Sequence, residues 1–173
     1  MNMTCLNSTH SDVALPPRDI MDAWAARALS LYCPEAQLFH PAADAPSSWA
    51  ELKAWADTHT LGVDSLPIFD GGCDNSIYTP SGNLTARAWH DATHLREKLG
   101  FTLADETAVG QFQCETLKWA RAPYAVVRAV EADVVGQIRY YTKHKRYVDD
   151  QVQFVWACLA SSVDEVIESG VIY

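Results

Sequence analysis

Two imidazoles and two carboxylates lie close together in this chain, in an order that can hold a divalent metal: His90, Asp91, His94 and Glu106. On a helix of about 100° per residue, with His90 as origin, His94 falls at about 40° and Asp91 at about 100°, so the three share one sector. Such a mixed nitrogen and oxygen set suits Zn²⁺ or Fe²⁺, and Mn²⁺ less well, because imidazole favours borderline metals. A histidine pair spaced i, i+4 also arises by chance on surface helices. The two carboxylates are what make this segment informative.

The elements that must position these residues follow from caps and breakers. Asn83 is the expected cap of a third helix running to about Leu99, with Gly100 in the left-handed position that ends it. Thr102-Leu103-Ala104-Asp105 reads as a capping box with Asp in place of Glu, opening a fourth helix that continues to about Arg121. Helices so closely joined form a hairpin or a sharp corner, and Glu106, in the first turn of the fourth, can reach back to the third. Glu106, Gly110, Gln113 and Leu117 form one stripe along that helix. Gly110 admits a close neighbour, and Gln113 is placed to support a metal-bound histidine by hydrogen bonding.

The string His90-Asp91-x-x-His94, eleven residues, then Glu106 resembles the hallmark of the zinc-binding, all-helical ubiquinone (coenzyme Q) biosynthesis family known as the fourth coenzyme Q biosynthesis protein. The family commonly has an arginine three residues before the first histidine, and Arg87 stands there. The resemblance covers about Arg87 to Gln113. Lys98 and Asp105 occupy positions where the family usually has glycine. The resemblance implies a zinc site on His90, Asp91, His94 and Glu106, an apolar prenylated small molecule or lipid as ligand, and contact with a membrane surface. Iron(II) is the second metal expected from the ligand types.

The rest of the chain is read as helical. Pro16-Pro17 and Asp19 open a first helix that fails near Pro34, and Ser47-Ser48 cap a second through Trp49 to about His59. Leu61 to Asn83 holds Gly62, Pro67, Gly71, Gly72, Pro80 and Gly82, too many breakers for a helix; it reads as a long connection, with room for a short hairpin around Ile68 to Tyr78. Pro123 opens a fifth helix whose Tyr124, Val127, Val130, Val134, Ile138 and Tyr141 share one face. A sixth carries Val152, Val155, Trp156 and Leu159, and a short seventh spans Ser162 to Ser169. The expectation is an all-α, single-domain bundle of about six or seven helices around a metal-binding hairpin, with 1–15 as a flexible tail and 16–173 as the domain.

Glu131 and Asp133 sit in the apolar stretch Val130 to Val135, where an acid costs energy unless paired. Glu131 is a candidate to support the site, as is Arg87, although a salt bridge of Glu131 with Arg87 or Arg128 competes with that role. The basic run Lys143 to Arg146 suits an anionic head group, but complementing a helix dipole needs no partner and is the simpler reading. Most of the six tryptophans are expected to be core or partly buried surface.

Thirteen Lys and Arg against twenty-two Asp and Glu give a net charge of -9, which opposes phosphate binding and excludes nucleic acid as the expected partner. No segment has the length and apolarity to cross a bilayer, and Met1 to His10 has neither the basic nor the apolar region of a secretory signal. A cytoplasmic protein is expected, peripheral to the membrane if the resemblance holds. The five cysteines form no C-x-x-C pair and read as reduced thiols. Homo-oligomerisation is left open.

Three functions compete. One is a metal-dependent enzyme acting on an apolar substrate held between helices. A second is a non-catalytic lipid-binding or scaffold protein whose metal pins the hairpin. The third is an HD-type phosphohydrolase, with His59 and Asp133 completing the His-Asp doublet and Glu106 uninvolved.

Overall fold

The computed structural model describes residues 13–170. The chain is mostly helical, as expected; of the tail, residues 1–12 lie outside the described part. Helix α1 (Arg18–Tyr32) leads through a 3-10 turn (Pro34–Gln37) and strand β1 (Phe39–Ala42) to α2 (Trp49–Thr58), β2 (Leu66–Phe69), α3 (Pro80–Glu97) and α4 (Leu103–Trp119). Next, α5 (Tyr124–Glu131), a π-helical segment (Ala132–Gly136) and α6 (Gln137–His144) follow one another without a break as a single rod. Helices α7 (Gln151–Ala160) and α8 (Val163–Ser169) close the described fold. With the rod counted once, seven helices lie among the described residues.

Local signals explain most boundaries. Ser48, Thr102, Asp150 and Ser162 each accept a hydrogen bond from the backbone N–H three residues on, satisfying a donor the helix start would otherwise orphan. Two boundaries of α3 differ from expectation. Thr79, not Asn83, caps it, and Pro80 takes the first helical position, where a missing N–H costs nothing. Its end falls at Lys98, which adopts the left-handed conformation (φ 55°), and not at Gly100.

The connection after α2 contains a strand that the sequence pattern does not announce. Leu66–Phe69 pairs in parallel with Phe39–Ala42, in the register Phe39 with Leu66 and Ala42 with Phe69, in place of the expected hairpin. Parallel partners distant in sequence leave no turn signature, and four residues are too few for alternation to show.

The core draws Met21, Ala25, Ala28 and Leu29 from α1, Ala88, Trp89 and Ala92 from α3, Leu117 from α4, Val126, Ala129 and Val130 from α5, and Phe154, Val155 and Cys158 from α7. Alanines on the buried faces of both α1 and α3 let this pair pack extensively, and each large buried aliphatic contributes roughly 1.5–3 kcal/mol. Cys33, Cys114 and Cys158 are buried free thiols, and burial pushes them up to about 11, 12 and 12, so they are inert core residues. Helix α4 packs against α5 and the π-helical segment at Gly110. A Cβ there would stand 2.5 Å from Val135 Cγ2 and 3.2 Å from Val134 Cγ1, which only glycine avoids.

Candidate metal centre

Helix α3 supplies His90 and His94 one turn apart, and the first turn of α4 supplies Glu106, so the short link between them folds the expected corner. That link is fastened to His94 itself. The N–H groups of Lys98 and Leu99 both donate to the His94 carbonyl, and the His94 ring Nδ1 bonds the Leu99 carbonyl at 3.1 Å. Phe101 packs edge-on against the ring, with centroids 4.6 Å apart. The His94 side chain is wholly buried, Glu106 is 16% exposed and His90 25%, a gradient from floor to rim.

Three potential ligand atoms converge. His90 Nε2 and His94 Nε2 are 3.0 Å apart, and Glu106 Oε2 lies 3.2 Å from the first and 3.5 Å from the second. The tautomers follow from the outer partners. His94 Nδ1 donates to Leu99 O, and His90 Nδ1 donates to Gln113 Oε1 at 3.3 Å, which leaves a lone pair on each Nε2 in the neutral rings. Two lone pairs and a carboxylate oxygen this close repel one another unless a proton or a cation lies among them. Tetrahedral ligation with bonds of about 2.0–2.1 Å sets ligand atoms about 3.3 Å apart, within the spread seen here, so the donor set fits a metal.

The same closeness governs the protonation of the metal-free site. Burial raises the Glu106 carboxyl, but its hydrogen bonds with His90 and His94 outweigh that and hold it down at about 2. Burial likewise disfavours the charged form of His90, and here the Glu106 hydrogen bond and charge win, raising its pKa. A proton shared with Glu106 therefore occupies the place a metal would contest.

Asp91 stands beside this group and is not part of it. The cluster of potential ligand atoms within 4.8 Å of one another comprises His90, His94 and Glu106. Asp91 lies within electrostatic reach of all three and of Arg87, and burial pushes its carboxyl up to about 6 against the pull of the two histidines. Its position around the helix, farther from His90 than His94 is, carries it to the flank. Of the supporting residues, Gln113 is buried and hydrogen-bonded to His90. Arg87 is fixed by donating from Nη1 to the carbonyls of Phe69 and Gly71, which ties the β2 connection to α3. Glu131 does not reach the site. It pairs with Arg128 one turn back, at 3.4 Å, with its own side chain 44% exposed. His59 caps α2, stacked on Trp55 with its Nδ1 at Trp55 O, and is not among the clustered ligands.

Beside His90 and Glu106 opens a cavity of about 420 Å³. Only Ala86, Val130, Val134 and Ile138 are apolar in its lining, whereas Tyr78, Asn83, Arg87, Gln113, Asp133, Gln137, Tyr147 and Gln151 bring polar groups. The expected cavity between helices is present, but a largely apolar one is not, and no tryptophan lines it. Tyr78 and Gln151 gave no sequence signal; Gln137 on an otherwise apolar face gave a faint one. In the basic run, Lys143 pairs with Glu168, Arg146 with Asp149, and His144 Nε2 with the Ile167 carbonyl. Among the described residues no helix is long and apolar enough to cross a membrane. Comparison with protein-family models, characterised proteins and solved structures found no match to this chain, so its functional reading rests on the geometry of this centre.

Proposed function

We propose that His90, His94 and Glu106 hold a divalent metal, zinc before iron(II), as the centre of an enzyme acting on a small molecule in the adjoining cavity. The observation that carries this is the convergence of two imidazole nitrogens and a carboxylate oxygen, with both imidazoles oriented from behind by Leu99 O and Gln113 Oε1. A structural site closes its coordination with four protein ligands, whereas three beside a cavity leave room for substrate, which favours catalysis over a scaffold role. A divalent metal bound there supplies Lewis acidity, polarising a carbonyl or carboxylate oxygen or lowering the pKa of water. The chain's own groups do the rest: His94 forms the buried floor, Gln113 fixes the His90 tautomer, and Arg87 places a guanidinium on the cavity wall.

The resemblance of the motif to the ubiquinone biosynthesis family supports a related reaction on a ring or carboxylate group. The polar lining favours the polar part of a substrate over a prenyl chain in this cavity. Metal analysis of protein purified without added metal tests the reading. One equivalent is expected in the wild type and almost none in His94→Ala or Glu106→Ala. Retention by Glu106→Ala together with loss in His59→Ala would overturn it in favour of the phosphohydrolase.

A further inference from the structure

The wall of the cavity formed by the π-helical segment carries a carboxylate that the metal centre does not use. Asp133 Oδ1 accepts hydrogen bonds from Gln137 Nε2 at 2.8 Å and from Gln151 Nε2, while Oδ2 accepts none among the described residues. No Lys or Arg forms an ion pair with it there, although it lies within electrostatic reach of His90 and Arg87. Two further residues on this cavity, Tyr78 and Asn83, are more than nine-tenths buried as whole residues, and neither the Tyr78 hydroxyl nor the Asn83 amide has a hydrogen-bond partner among the described residues. Tyr78 lies within electrostatic reach of Asp133, and Asn83 is one turn of α3 before Arg87. Unlike the Trp89 indole N–H and the Tyr140 hydroxyl, which are sealed without a partner, these two groups are not closed off and line the cavity, where a ligand can supply the missing bonds.

We propose that Asp133, Tyr78 and Asn83 form an ammonium subsite, making the ligand of this cavity a compact amino acid. An ammonium group carries three donors and no acceptor. Asp133 Oδ2, Tyr78 Oη and Asn83 Oδ1 offer one acceptor each, and the carboxylate supplies the opposing charge. The two glutamines hold Asp133 by the other oxygen, so the free one is fixed in place before the ligand arrives. At the opposite end, the carboxylate of the same molecule meets the metal and Arg87. The inference rests on the metal reading for that end.

The test uses full-length protein loaded with cobalt(II), whose absorption reports both metal binding and a carboxylate reaching the metal. It is titrated with ω-aminoalkanoates from glycine to 6-aminohexanoate, and with alkanoates and ω-hydroxyalkanoates of the same lengths. One aminoalkanoate should bind about tenfold or more tighter than its alkanoate, the fold-change that a hydrogen bond to a charged group supplies. Asp133→Asn keeps Oδ1 for the glutamines and turns Oδ2 into a donor, and should cut that preference to about twofold or less. Equal binding of amino, hydroxy and plain acids by the wild type overturns the ammonium subsite while leaving the metal centre standing. Hydroxy acids as tight as amino acids overturn the ammonium, and affinity rising with each methylene overturns it in favour of an apolar channel. Failure to bind cobalt overturns the metal reading and this inference together.

Discussion

At the residue scale, the histidines and Asp91 divide by angle. His94 points where His90 points and is fastened by Leu99; Asp91, next along the chain, is carried aside. Asp91→Asn should therefore keep one equivalent of metal with affinity reduced by about tenfold at most, the scale of a group acting from outside the ligand set. Loss of metal equal to that in His94→Ala, measured by competition with a chelating dye, would make Asp91 a ligand. Protonation gives a second expectation. In metal-free protein Glu106, held at about 2, contributes stability that is complete above its ordinary 4.5 and lost as pH falls toward 2. His90, raised, contributes stability that is complete below its ordinary 6.5 and lost as pH climbs through its higher folded value. Asp91 and Asp133, pushed by burial to about 6, favour the folded state increasingly as pH drops from there toward 3.8. Metal-free protein should thus melt higher at about pH 5 than at about pH 7.5. Metal-loaded protein should do the reverse, because protons compete for the ligands. Calorimetry at both pH values checks the crossover.

At the scale of elements, the site depends on how α4 meets its two neighbours. The Thr102 cap starts the turn that carries Glu106, with the Asp105 carboxylate accepting from the Thr102 hydroxyl at 2.8 Å in return. Thr102→Ala should cost about 1 kcal/mol of stability and weaken metal binding in parallel, since the same first turn presents the ligand. A stability loss with unchanged metal affinity would show that Glu106 is held by its histidines alone. On the other face, Gly110 lets the π-helical segment approach. Gly110→Ala meets Val135 and Val134, stiff side chains with little room to yield, and overpacking of this kind costs about 1–3 kcal/mol. A melting temperature lowered by several degrees is expected, and an unchanged one would mean that the rod moves aside freely.

For the whole molecule, a metal held by His90, His94 and Glu106 would join two helices that are already linked by a short turn and buried against a shared core. Its removal therefore takes away binding free energy without dismantling the core. A metal at a thousandfold excess over Kd adds about 4 kcal/mol, so chelation should lower the melting temperature clearly while the far-ultraviolet helical signal persists. Unfolding of the metal-free protein under mild conditions would instead assign the metal a structural task and favour the scaffold reading. The charge of the chain points the same way as the cavity. A net charge of -9 disfavours phosphates and suits a centre whose cation comes from outside.

The sequence by itself determined what is local. Cap residues set the starts of α2 and α4, periodicity set the long fifth rod, and the i, i+4 spacing placed His90 and His94 on one face. Each depends on backbone geometry within a few residues, which residue type controls directly. Only the tertiary structure decided the rest. It paired Phe39–Ala42 with Leu66–Phe69 and placed Asp133 of the π-helical segment on the same cavity as His90 and Glu106. It also set Tyr78 and Gln151 on one cavity with His90 and Glu106. These are encounters between segments far apart in the chain, fixed by how the core fills space, and no residue's own preference records which partner it will meet.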